Sequence, residues 1–289
     1  MKLLVHLHLY YLDQLPWFLQ RLSYLEEPWD LVVTSAWEDP AAEALVRQCK
    51  PDARWIRVEN VGYDIWPFVV ALRSVDLAQY PLVLKLHTKN RNDSGYTVNG
   101  LRLMGYAWRD FLVDALLKSP AQARRVRTIL ETQPRVGMVC EGALIRRLGT
   151  RDPEDGALLE AEQLRLGLVR RPRCFCAGTM FLARTAPFRR LRDGDLTAAS
   201  FAGDAVSHSS GSLAHVYERI LSFLVQEDGY TLRGVTTHPL RRAYVRLTKA
   251  VEPALRQVFA LERVGPEGTK RLTLFGRQFL LPRRRKSEK

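Results

Sequence analysis

Nowhere does the 289-residue sequence run for the roughly 18 uncharged apolar residues that a membrane span needs. Cysteine is scarce. Cys49, Cys140, Cys174 and Cys176 are all there is, and none makes a Cys-x-x-Cys spacing, so they read as reduced structural thiols suited to the cytoplasm. There is no small-residue cleavage site near the start, and His6, His8 and Asp13 interrupt its apolar run. That start reads as a first strand and not as a secretory signal. No internal repeat or low-complexity linker is present. Aspartate is missing from residues 238–289, which carry fourteen Lys and Arg against four Glu, so ten of the thirteen net positive charges sit there. The first 237 residues are close to neutral. A nucleic-acid binder carries its basic surface on the fold, interleaved with stacking aromatics, and that class is set aside.

What is present is a chain with 46% hydrophobic residues, enough for a sizeable core. Leu3–Tyr11 alternates as a strand, Leu12–Tyr24 is an amphipathic helix, Asp30–Ser35 a buried strand and Ala41–Cys49 a helix. Trp55–Val58 and Leu82–Leu86 are further strands, with a helix over Trp66–Leu77 between them. This alternation predicts a mostly parallel sheet covered by helices, with strand spacings that suit right-handed crossovers. After a polar loop at Asn90–Gly95 come helices at Leu112–Leu117 and Pro120–Thr132, the second opened by Ser119-Pro120. Val136–Cys140 is a strand, residues 146–173 a charged surface excursion, and Phe175–Ala183 one strand. Phe201–Ser212 is a small-residue loop, His215–Glu227 a helix and Tyr230–Val235 the last strand. Residues 1–237 form the expected α/β domain. Residues 238–289 are expected to be a basic amphipathic helix from Pro239 to about Arg263, then a solvated tail.

Residues 54–91 organise the rest. Two strands there end in polar bursts, Glu59-Asn60-Val61-Gly62-Tyr63-Asp64 and Lys85-Leu86-His87-Thr88-Lys89. On neighbouring parallel strands both would lie at the carboxyl edge, where open α/β sheets bind ligands.

The phrases VHLHLYYLD, VENVGYDIWPF, LVLKLHTK, FCAGTMFLAR and SLAHVYER occur in that order. Together they resemble the rhamnan synthesis protein F family of bacterial polysaccharide proteins, regarded as rhamnosyltransferases, over about Leu3 to Tyr230. Tyr63 departs from the family's N-x-G-R-D pattern, removing a cation that could have faced a phosphate. The resemblance implies a GT-A-like fold, with a nucleotide-sugar over the carboxyl edge of the sheet. Most such enzymes hold a divalent metal on an Asp-x-Asp at a strand end. The equivalent place here is Lys85–Lys89, which has no carboxylate.

The diphosphate charge that grows on the leaving group must be neutralised by metal or by fixed cations. Lys85, His87 and Lys89 alternate along a strand end and can share a face, so they are expected to replace Mg²⁺ or Mn²⁺. The plainer reading is an edge strand guarded by lysines. No metal ligand or other cofactor is assigned; the alternative is a divalent metal, Mg or Mn, on Asp64 and His87. Thr88 joins the donor set. Asn60 and Asp64 are candidates for sugar or ribose hydroxyls, Gly62 for a close backbone approach, and Asp64 equally for capping the next helix. His8 and Tyr10, on one face of the first strand, are candidates to stack a nucleobase. Gly178, Thr179 and Met180 would meet donor or acceptor sugar. Inverting transfer needs a carboxylate to take the acceptor's proton. The GT-A layout points to Glu218 on the helix beginning near His215, with His215 on the same face and Asp204 as the competing base.

The expected function is transfer of a deoxyhexose, rhamnose first, from a dTDP-rhamnose or GDP-rhamnose type donor to a surface polysaccharide or lipid-linked glycan, at the cytoplasmic face of a bacterial membrane. The alternative is a non-catalytic nucleotide-sugar or glycan-binding scaffold. The basic tail, with Phe275, Phe279, Leu280 and Leu281 among arginines, suits an anionic membrane surface, at roughly 1 kcal/mol per basic residue near it.

Overall fold

The architecture was obtained as a computed structural model. It describes residues 2–26, 28–98, 101–148, 153–172, 174–206, 212–240, 243–244, 247, 251, 258–264 and 269–281. Strand β1, Leu3–His8, is buried at all six positions, the pattern of a central strand covered on both faces. It pairs in parallel with β2 (Trp29–Ser35) on one side and β4 (Leu82–His87) on the other. Strand β3 (Arg54–Arg57) lies parallel outside β2. Helices α1 (Leu15–Leu22), α2 (Pro40–Cys49) and α3 (Ile65–Arg73) join these strands. Asp39 caps α2 by accepting the Ala42 N–H at 2.9 Å, and Pro40 occupies its first position.

Beyond β4, a two-stranded hairpin of β5 (Asn92–Val98) and β6 (Leu101–Gly105) occupies what the sequence suggested was a polar loop. Helices α4 (Ala107–Leu117) and α5 (Pro120–Thr132) follow, with Ser119 capping α5 as its Ser-Pro pair indicated. Strand β7 (Val136–Glu141) continues the sheet. Residues 146–173 are more regular than their charge suggested. After the short β8 (Ile145–Arg147) comes a thirteen-residue helix, α6 (Pro153–Arg165), whose proline start and early acids suit a helix N-terminus.

The segment Phe175–Ala183 is not one strand. β9 (Cys174–Cys176) pairs with β8, the chain turns at residues 177–180, and β10 (Phe181–Arg184) enters the main sheet antiparallel to both β4 and β7. A short helix α7 (Arg189–Arg192), the long α8 (Leu213–Glu227) and β11 (Thr231–Val235), parallel to β7, complete it. The seven-stranded order is β11-β7-β10-β4-β1-β2-β3, so the α/β, mostly parallel, helix-flanked class is present. Strands β3 and β4 are not neighbours, however: β1 and β2 lie between them. Nor is β4 an edge strand, so Lys85 has no edge to guard.

The chain divides into one compact unit of Met1–Val98 with Arg102–Thr237 and a second of Asn99–Leu101 with His238–Lys289. Within the second, the described residues between Pro239 and Val258 are helical. The expected helix to Arg263 is corrected from Phe259 onward. A three-stranded antiparallel sheet forms there, from β12 (Phe259–Val264), β13 (Thr269–Leu274) and β14 (Arg277–Leu281). A two-residue turn, Phe275-Gly276 with φ 46° and 78°, joins β13 to β14 and gives the left-handed pair that such hairpins require. Arg242, Arg246, Lys249 and Arg256, on the flanks of the expected helix, and the closing basic run lie outside the described residues. Among the described residues no helix is long and apolar enough to cross a membrane.

Phe68 of α3 packs the core beneath the sheet's centre, fully buried, with ring centroids 5.5 Å from His6, 6.2 Å from Phe181 and 5.4 Å from Phe188. Deleting its ring leaves a cavity that this crowded site cannot refill. Phe68→Ala should therefore lower stability by about 3–5 kcal/mol in denaturant unfolding, and a loss under about 1 kcal/mol would contradict this packing.

Candidate functional site

The carboxyl ends of β4, β1 and β2 gather most of the polar residues singled out from the sequence. Lys85, fully buried on β4, directs its ammonium at Asp64, which arrives on the loop between β3 and α3. The same Nζ donates to the Thr179 carbonyl at 3.1 Å and approaches its hydroxyl at 3.3 Å. Thr179 Oγ1 donates to Asp64 Oδ2 at 2.5 Å. Three segments far apart in sequence thus close around one ammonium, with the Phe68 ring 5.5 Å from it. Asp64 heads α3 but makes no capping bond there, so its carboxylate serves Lys85 and Thr179 instead of the helix end.

Burial alone would raise the Asp64 carboxyl. The fields of His87, Lys85 and Lys89 and the Lys85 hydrogen bond override it and hold it well below the usual carboxylate range. Burial also lowers the Lys85 ammonium, against the opposing pull of Asp64. His87, 3% exposed, has Nδ1 3.6 Å from Asp64 Oδ2. Desolvation pushes its ring well below its ordinary value, so at pH 7 it is neutral and Lys85 is the cation that keeps Asp64 ionised; the field of His87 acts on Asp64 only once the ring takes a proton at lower pH. Neither ring nitrogen of His87 has a hydrogen-bond partner among the described residues.

His6 and His8 meet a second buried anchor, Thr34 of β2. His6 Nε2 lies 2.9 Å from its hydroxyl, and His8 Nδ1 lies 3.1 Å from the hydroxyl and 3.2 Å from the carbonyl. Desolvation lowers both, His8 to about 4. His8 is therefore a buried tie between strands and does not offer a ring face for stacking. Tyr10 is half-buried, with Tyr11 at 5.0 Å and Trp37 at 5.5 Å between centroids. Trp37, which sequence reasoning passed over, is 42% exposed and donates from Nε1 to the Tyr10 carbonyl at 2.9 Å.

Thr88 is an internal brace: its hydroxyl accepts the N–H groups of Tyr10 and Tyr11 at 3.0 and 3.1 Å. Lys89 follows, half-buried, and its ammonium makes no hydrogen bond or ion pair among the described residues. Its carbonyl accepts from Gln14 Nε2 at 2.6 Å. Gln14 in turn accepts from Arg109, a buried guanidinium between the rings of Trp17 and Tyr106 at 3.8 and 4.3 Å. This clamp was illegible in the sequence, because its parts lie on three separate segments. Lys85 and His87 share a face, but Asp64 and Thr179 engage the first and burial neutralises the second. Of the three expected phosphate ligands, only Lys89 presents an uncommitted cation.

Gly62 and Tyr63 take consecutive left-handed conformations, φ 63° and 51°. A Cβ on Gly62 would stand 2.7 Å from Phe201 Cγ, so close approach as well as φ requires glycine. Asn60 is exposed on the same loop. Across the site, Gly178 and Thr179 also turn through left-handed φ, 83° and 49°, and Met180 is fully buried. The Gly178 N–H donates to Glu218 Oε1 at 2.7 Å, and the Thr179 hydroxyl goes to Asp64, so this turn braces the site from inside. Glu218 is half-buried on α8. His215, one turn earlier, has Nδ1 2.6 Å from the hydroxyl of Ser212, the α8 cap, and its ring 5.9 Å from that of Tyr63. Asp204 lies in a 3-10 segment, Ala198–Val206, and its side chain falls outside the described residues.

The Asp-x-Asp of this chain is Asp193-Gly194-Asp195, after α7 and not at a strand end. Arg192 and Arg165 take its carboxylates, and Arg73 donates to the carbonyls of Arg192, Gly194 and Leu196. Among the described residues no group of three or more His, Cys, Asp or Glu could hold a metal ion. With Asp64 already bound to an ammonium, the donor set at the β4 end does not fit a divalent cation.

The model of the rhamnan synthesis protein F family matches residues 1–230. The chain belongs to that family. WxcX, an uncharacterised protein of Xanthomonas campestris, is 29% identical over 263 residues in strains B100 and ATCC 33913, covering 85% of this chain and 35% of WxcX. The chain thus spans about a third of the length of these curated relatives. Among solved structures, residues 1–349 of S. aureus TarS align at TM-score 0.44 and 11% identity, over 86% of this chain and 65% of that one. The same TarS segment in complex with UDP-GlcNAc aligns at TM-score 0.36 and 11% identity, over 65% and 47%.

The buried groups make stability depend on pH with a definite sign. A histidine lowered on folding leaves the unfolded chain holding more protons, so stability is lost as pH falls from about 6.5 toward about 4. Asp64, lowered below its ordinary value, contributes stability above that value that is lost as pH falls further, through its folded pKa. Urea unfolding should give a plateau above pH 7 and a decline below about 6.5, shallower in His8→Asn. A flat profile from pH 7 to 4 would refute the neutral buried histidines.

Proposed function

We propose that the chain is a glycosyltransferase of GT-A type that transfers a deoxyhexose, rhamnose, from a dTDP- or GDP-linked donor to a bacterial surface polysaccharide or lipid-linked glycan. Family membership over residues 1–230 carries the reading. The polar carboxyl edge, with one cation left uncommitted, supports it.

In this reading the donor lies over the ends of β1, β2 and β4. Lys89 neutralises the diphosphate without a metal, and Asn60 accepts or donates to a donor hydroxyl. Tyr10 and Trp37 supply ring faces for the base. The Lys85–Asp64–Thr179 knot does not touch phosphate; it fixes the two loops that do the binding. Glu218 is the base. Its Oε1 is held by the Gly178 N–H, which leaves Oε2 to meet the acceptor. Oε2 takes the proton of the acceptor hydroxyl as that oxygen bonds the anomeric carbon and the carbon–diphosphate bond breaks, inverting the centre. The basic residues beyond 238 hold the protein to anionic lipid at the inner face of the membrane, where a lipid-linked acceptor resides.

A second reading, a scaffold that binds nucleotide-sugar or glycan without turnover, draws on the mutual neutralisation of Lys85 and Asp64. Turnover of a nucleotide-sugar panel separates the two. Glu218→Gln should lower kcat by about a hundredfold or more with donor affinity unchanged, and Lys89→Ala should weaken nucleoside-diphosphate binding about tenfold. Activity should survive chelator. If Glu218→Gln keeps full turnover while Asp204→Asn abolishes it, the base is reassigned; if chelator stops turnover and Mn²⁺ restores it, metal-free binding of the diphosphate is wrong.

A further inference from the structure

We infer that Tyr63, with His215 beside it, is a stacking site for a neutral pyranose ring, and that it selects the glycan acceptor. The inference deepens the transferase reading above and rests on it for the nucleobase position and for Glu218 as the base.

Three observations meet at Tyr63. Its backbone is left-handed at φ 51°, directly after Gly62 at 63°, a conformation uncommon for a bulky residue and easier for glycine. The backbone therefore gives no reason for a tyrosine here, and held outliers of this kind gather at ligand sites. The side chain is 48% exposed although the next residue in the chain, Asp64, is tied into the buried knot with Lys85 and Thr179. An apolar ring is thus presented at the mouth of a polar site from a rigid base. Its neighbour His215 sits with centroids 5.9 Å apart and planes 58° from parallel, so the two rings splay and do not cover each other. His215 is fixed in turn through Nδ1 by the buried Ser212 hydroxyl.

The surroundings decide which flat ligand fits. Glu218 is one helical turn from His215, so one carboxylate lies on the helix that carries the second ring, while the Asp64 carboxylate is taken up by Lys85 and Thr179. Tyr63 offers a phosphate no cation where the family pattern has Arg, while sugar hydroxyls can donate to the Glu218 carboxylate. The C–H face of a pyranose, more so of a 6-deoxy sugar with its methyl group, is apolar and packs on an aromatic face. A nucleobase already has ring faces elsewhere, at Tyr10 and Trp37 beyond the ends of β1 and β2. Tyr63 and His215 stand on the side of the site that holds Glu218, where an acceptor hydroxyl must be deprotonated.

Saturation-transfer NMR on the full chain tests this with methyl α-L-rhamnopyranoside as one probe and dTDP and GDP as the others. Tyr63→Gly removes the ring while relieving the left-handed backbone, so it should melt no lower than the parent. Glycoside binding should fall about tenfold or more in Tyr63→Gly and persist in Tyr63→Phe, with nucleotide binding unchanged in both. If Tyr63→Gly binds the glycoside as the parent does, or the parent does not bind it, the inference fails. If Tyr63→Gly loses dTDP or GDP binding, the ring belongs to the donor and the inference fails as well. If the parent binds glycoside but neither nucleotide nor any nucleotide-sugar, the transferase reading falls and the saccharide site stands.

Discussion

The ion pair between Lys85 and Asp64 is the constraint on which the rest of this site depends. An ammonium with no solvent exposure is tolerable only with a charged partner and satisfied donors, and Asp64 with Thr179 provides both. To make those contacts, the β3–α3 loop must cross the ends of β1 and β2, and the turn before β10 must bend through left-handed backbone. Gly62, Tyr63, Gly178 and Thr179 take their positive φ angles around this one pair. Breaking either partner strands the other, so the pair fixes geometry more than it adds stability.

The same arithmetic separates support from contact. Lys85, His87, His8, Thr88 and Thr179 are buried, and each is engaged by, or packed against, the protein itself. Lys89, Tyr63, Asn60 and Trp37 are the groups with exposed surface, and Glu218 spans the two classes, with one oxygen on the Gly178 backbone. The functional edge is a thin layer of accessible side chains on a dense polar foundation.

How legible this was in the sequence varied by element. Strands β1, β2, β4 and β7 and helices α2, α5 and α8 could be read because short apolar runs and Ser-Pro or Asp-Pro starts are local signals. Strand order is not local. The Asp64–Lys85 contact could not be read, because β3 and β4 are two strands apart and only the crossing of the loop joins them. The Phe175–Ala183 run looked continuous because Ala177, Thr179 and Met180 are as buried as strand residues, and the turn lies in φ alone. In residues 259–281 the basic charge masked an alternation of apolar residues whose period is that of a strand.

Strand β10 runs against its neighbours, so its beginning, not its end, lies at the carboxyl edge of β4. Thr179 reaches Lys85 only because of that reversal, across 94 residues of chain. During synthesis from the N-terminus, β1, β2, β3 and β4 are all complete before Thr179 exists. The growing polypeptide therefore carries a half-built sheet whose central lysine has Asp64 but not yet Thr179, and an open flank on β4. A nascent chain released or stalled before residue 184 is the form of this protein most in need of a chaperone.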